Sequence, residues 1–160
     1  MIPIFRCPKL NSAETMRALD EYDRERILTI ARSWEGTPFH DDASVKGIGV
    51  DCARFVASVY MEAEIVPEFN IPRYQAQWFL NRSDEILMNF VLGYAREIEE
   101  NSVLRGDLVL YRIGRAYAHA AIVIGWPYEI IHAHKLSGMV IRARPFDNDL
   151  HGRPVKFFSL

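Results

Sequence analysis

Apolar positions follow two rhythms along this chain, and the change falls at Arg105–Asp107. Before it the spacing is helical. Met16, Leu19, Ile27, Leu28, Ile30, Ala31 and Trp34 form a broken apolar stripe from about Ala13 to Trp34, and Gly36 is its stop signal. The charged cluster Asp20–Arg26 inside that stripe reads as a solvated face or a break between two helices. A second helix is predicted from Cys52 to Ala63, with Phe55, Val56, Val59 and Tyr60 on one face and Asp51 as its N-cap. A third is predicted from Asp84 to Glu97, with Ile86, Leu87, Phe90, Val91 and Tyr94 inward and Ser83 as cap. Residues 36–50 hold three glycines and a proline without clear periodicity and read as a loop, as does the stretch bracketed by Pro67 and Pro72. Residues 1–11 read as an irregular arm.

After Asp107 the rhythm becomes that of strands. The stretches 108–112, 118–125, 128–134, 139–143 and 155–158 are short, rich in β-branched or aromatic residues, and mostly separated by Gly- or Pro-containing breaks. Helices first and strands later predict an α+β domain, a meandering antiparallel sheet of about five strands with helices on one face. The length of 160 residues fits one domain spanning residues 1–160.

Composition narrows the function classes. The formal net charge is −2, which argues against a nucleic-acid binder that relies on overall positive charge. No apolar run approaches the length of a membrane span. The N-terminus lacks a basic segment followed by a long apolar one, so no signal peptide is read and synthesis is expected in a cytosol-like compartment. Cys7 and Cys52 are far apart, make no disulfide framework and show no zinc-finger spacing.

Candidate chemistry centres on Cys52. At the first position of a helix its thiol meets unpaired N–H groups and the positive end of the dipole, which favour the thiolate. Asp51 opposes this with its own charge. Taken alone, Cys52 reads first as a small buried hydrophobe and only second as a nucleophile. A thiol nucleophile needs a base and an orienting group. Pairing of strands 118–125 and 128–134 through a tight turn sets His119 roughly opposite His134, with His132 diagonal and on the same face as His134. Those three histidines also form a fair zinc constellation, which would need no cysteine.

The stretches "GTPF", "GIGVDCARFVASVY", "IPRYQAQW", "RGDLVLYR", "AHAAIVIG" and "EIIHAH" occur in the order of the NlpC/P60 family of papain-like cysteine peptidases, and the chain resembles that family over residues 27–143. The "GTPF" loop, the longer "DDASVKGIGVDC" insert, Trp78 and "RIGR" resemble its phage-tail and gene-transfer-agent branch. The resemblance implies a papain-like α+β fold, no cofactor, and hydrolysis of peptidoglycan stem peptides, commonly at a γ-D-glutamyl–diamino-acid bond. It implies Cys52 as nucleophile, His119 as general base and His132 as the residue that orients it, with His134 a neighbour or rival. An N–H at the start of the Cys52 helix would supply part of an oxyanion hole. Phage tail proteins are the implied partners, and a virion tail acting on the cell wall the implied location. The chain departs from the family at Ala53-Arg54, where a small pair is usual. Arg54 is expected to point away on the helix surface or to meet an acidic substrate group. It departs also upstream of Cys52, where a tyrosine is common and Phe39 and His40 stand here.

Overall fold

Asp20 opens the first helix through a capping box. Its carboxylate accepts the N–H of Asp23 at 2.9 Å, while the Asp23 carboxylate accepts the N–H of Asp20 at 3.0 Å. The computed structural model describes residues 17–71, 73 and 86–160, and in it α1 runs Glu21–Ser33. The cluster Asp20–Arg26 is therefore the cap and first turns of a helix rather than a break. It is only partly solvated, since Asp23 and Arg24 are buried. The arm at 1–11, Cys7, Ser83 and Trp78 lie outside the described residues.

The next helix, α2 (Cys52–Glu62), begins as expected: Asp51 accepts the N–H of Arg54 at 2.9 Å, and Phe55, Val56, Val59 and Tyr60 are buried. The third helical pattern is realised only in part. α3 spans Ile86–Val91, the chain turns at 92–94, and Arg96–Ile98 forms strand β3. Ile86 is exposed, whereas Val91 and Tyr94 are buried. Gly93 weakens helical continuation, and pairing of Arg96–Ile98 with the strand Val155–Ser159 replaces it.

The loop predicted at 36–50 contains a small hairpin, β1 (Ser44–Val45) with β2 (Gly49–Val50). The main sheet adds β4 (Leu108–Ile113), β5 (Ala116–Gly125), β6 (Glu129–His134), β7 (Met139–Ala143) and β8 (Val155–Ser159). All five predicted strands are present, and β3 makes a sixth. The order is β3-β8-β4-β5-β6-β7, every neighbour antiparallel.

Alternation along the strands divides two apolar clusters. Leu108, Leu110, Ala120, Ile122, Ile131 and Ala133 pack with α1 and α2, while Val109, Tyr111, Ala121, Val123, Ile130 and Phe157 pack with Leu150 on the opposite face. α2 rests on β5 and β6. Two ties hold the segments that carry the site. Thr37 O accepts Val140 N–H at 2.8 Å and Gly138 O accepts Phe39 N–H at 2.7 Å, which lays residues 36–39 along the free edge of β7. Arg24 Nη1 donates to Asp107 Oδ1 at 2.9 Å and to Arg105 O at 2.7 Å, which fastens α1 to the entrance of β4. No helix among the described residues is long and apolar enough to cross a membrane.

Candidate active site

The start of α2 and the start of β5 meet at a bulge. Tyr111 pairs with His119 and Arg112 with Tyr117, so Ala118 drops out of the ladder. Its carbonyl is the hydrogen-bond partner of the Cys52 thiol, 3.8 Å from Sγ. Main-chain N–H groups of Ala120, Ala53 and Cys52 also face the sulfur. The half-buried thiol thus lies against the main chain on both sides of His119. Burial, with the Asp51 carboxylate adding to it, pushes the thiol up to about 12. At rest it is neutral.

His119 shares a strand face with Tyr111, its cross-strand partner, and their ring centres are 5.9 Å apart. Its Nε2 lies 2.8 Å from Nδ1 of His132. That bond occupies one ring nitrogen of His119, Nε2. For His119 to accept a proton at Nδ1, it must donate Nε2–H to His132, whose own proton then sits on Nε2. That atom is buried and has no partner among the described residues, as is the Tyr111 hydroxyl. Continuing the Ile122–Ile131 register sets His119 opposite His134, yet it is the diagonal His132 that it bonds.

His134 has another task. Its Nδ1 lies 2.6 Å from Ser137 Oγ, its Nε2 2.8 Å from Asp149 Oδ1, and its ring stacks on that of His132 with centres 4.8 Å apart. It packs against the His132 ring and makes no hydrogen bond to His119 among the described residues. Ser137, Asp149 and Tyr111 were not legible as site neighbours in the sequence, because polar residues in a turn or mid-strand carry no motif. The direct 2.8 Å contact between His119 and His132 opposes the zinc reading, and no group of three ligands suited to a metal occurs among the described residues.

Burial, with the neighbouring His134 adding and Asp149 opposing, pushes His119 down to about 4, and burial with the two other rings depresses His132 further. With His119 as the base, this depression has a checkable pH profile. kcat/KM should hold level as pH falls from 7 through 6.5 and decline only near 4. A fall centred at 6.5 would show that His119 titrates as an ordinary histidine. The same depression makes the unfolded chain bind protons first. Folding stability is therefore fully present above about 6.5 and should be lost as pH falls toward 4, as urea midpoints would report.

Arg54 is neither at the surface nor free to meet substrate. It is buried, with Nη1 2.8 Å from Asp51 Oδ2 and Nη2 paired to Asp42 Oδ1. Ala53 is half-buried beside Cys52. His40 is exposed, and its contacts are through its backbone, to Val50 O at 3.1 Å. It does not replace the absent tyrosine hydroxyl within the described network. Gly49 is needed here, since a Cβ at that position would lie 2.9 Å from His40 Cβ.

Comparison with known proteins agrees with this architecture. The NlpC/P60 family model matches residues 33–153, and the chain belongs to that family. A curated relative, the murein DD-endopeptidase MepS/murein LD-carboxypeptidase of Escherichia coli K12, is 26% identical over 118 residues, 74% of this chain. The chain spans about half, 53%, of that relative's length. Among solved structures, the NlpC/p60 domain of the peptidoglycan hydrolase SagA superposes with a TM-score of 0.59 at 19% identity, covering 86% of this chain and 97% of that one. RipD from Mycobacterium tuberculosis, described as a non-catalytic NlpC/p60 protein adapted to peptidoglycan binding, superposes at 0.54 with 13% identity, covering 86% and 96%. Both show the shared α+β fold.

Proposed function

We propose that this chain is a cysteine peptidase that hydrolyses peptidoglycan stem peptides, with the γ-D-glutamyl–diamino-acid bond as its target. The observation that carries the reading is the 2.8 Å His119–His132 bond, placed where the strand main chain touches the helix-opening thiol. Cys52 Sγ attacks the carbonyl carbon as its proton passes to Nδ1 of His119. The tetrahedral oxyanion is met by N–H groups at the start of α2. Arg54 N–H already serves the Asp51 cap, which leaves those of Cys52 and Ala53. The C–N bond breaks, His119 protonates the leaving amine, and water cleaves the thioester to release the carboxylic acid. No cofactor enters these steps.

The "GTPF" loop, the long insert before Cys52 and "RIGR" support a phage or prophage origin, with tail proteins as partners and the virion tail as the place of action. Residues 1–160 would act there as one domain. Mass spectrometry of fragments released from purified murein sacculi tests the reading. New amino and carboxyl termini at one stem-peptide bond are expected. Intact sacculi that nonetheless bind a folded, alkylatable protein would favour a wall-binding tail component, and probe labelling with turnover of another amide or ester would favour a different acyl substrate.

A further inference from the structure

Arg54 stands beside the nucleophile where the family usually has a small residue, and the chemistry above leaves it without a task. It is 5% exposed, so its cation must be matched locally. It meets two carboxylates. Asp51 accepts Nη1 at 2.8 Å, caps α2 through the Arg54 N–H at 2.9 Å, and accepts the N–H of Asp42 at 3.0 Å. Asp42 comes from the insert that precedes Cys52, sits at φ 62° and pairs with Nη2. Nη2 also lies 3.5 Å from Ile71 O, and Asp42 Oδ2 lies 3.2 Å from Arg73 Nε. One guanidinium thus joins the insert, the start of α2 and the 71–73 segment. Only a planar, multi-donor cation can serve partners in three directions at once.

We propose that Arg54 is a positioning residue: wedged between the Asp51 and Asp42 carboxylates, it clamps the 40–43 loop to the start of the nucleophile helix and offsets part of the Asp51 charge beside Cys52. The acidic insert and the oversized residue after the cysteine are then one device. Without Arg54 the Asp51 carboxylate would oppose thiolate formation unbalanced, and the loop would lose its anchor.

The inference rests on Cys52 as nucleophile, but alkylation by iodoacetamide reads the thiol without requiring hydrolysis. The two readings can therefore fail separately. R54Q is expected to slow alkylation at pH 8 about tenfold, the effect of one unit in thiol pKa. R54K keeps the charge and should stay near wild type in this assay. D51N keeps a capping side chain and should speed alkylation. R54Q and R54K should both raise hydrogen exchange at the Asp42 amide, because lysine cannot hold both carboxylates. An unchanged rate in R54Q, an R54K as slow as R54Q, or a D51N no faster than wild type would overturn the charge role. Unchanged Asp42 exchange in R54K would overturn the clamp. If R54Q does not fold, R54K and D51N still decide both.

Discussion

Replacing Cys52 with alanine is expected to abolish release of peptide fragments from murein sacculi, a loss on the order of a million-fold in turnover, with the fold retained. The size follows from the division of labour at the site. His119 and His132 hold each other through their own bond and would stay in place, but with no sulfur to attack the carbonyl they have no acyl-enzyme to form or resolve. The fold should hardly notice. The thiol donates one long hydrogen bond, to Ala118 O, and burial favours its neutral form, so its removal strands no buried ion. Product mass spectrometry with thermal melting of wild type and variant measures both sides. Undiminished fragment release by a folded Cys52→Ala protein would remove Cys52 from the chemistry.

The largest effect on stability is expected far from the thiol, at Asp107. This carboxylate is fully buried and accepts Arg24 Nη1 at 2.9 Å and Leu104 N–H at 2.8 Å. Asp107→Ala leaves the Arg24 guanidinium buried with the Arg105 carbonyl as its remaining partner among the described residues, and breaking one side of such a pair costs about 3–5 kcal/mol. Domains of this kind are stable by about 5–15 kcal/mol in total, so the variant should unfold at far lower urea. Replacing both partners by apolar residues (Arg24→Met with Asp107→Leu) should recover most of the loss. A shift below about 1 kcal/mol in the single variant would mean that the pair does not anchor α1 to β4.

Much of this was legible in the sequence because it is local. The Asp51 cap, the buried face of α2 and the five strands each follow from spacing within one element. Two strands joined by a tight turn were enough to bring His119 near His132 and His134. What escaped depends on partners distant in the chain. β3 is three residues long and exists only through β8, so the helical spacing around it prevailed in the sequence reading. The choice of His132 over His134 as partner of His119 reflects Asp149 and Ser137, which occupy both nitrogens of His134. Arg54 read as a surface residue or a contact for an acidic substrate group, because a lone arginine after a cap gives no hint of Asp42 nine positions before Asp51.

The strand order also carries a timetable. β8, the last of the six strands in chain order, lies between β3 and β4, and β3 has no other partner in the sheet among the described residues. A ribosome delivers the nucleophile helix and the histidine strands well before Val155–Ser159. Until that stretch emerges, β4 keeps one side of its ladder open and Arg96–Ile98 has nothing to pair with. Strands β3 and β4 are therefore joined only once Val155–Ser159 has been made, and the nascent chain spends that interval as an unfinished sheet with an exposed edge.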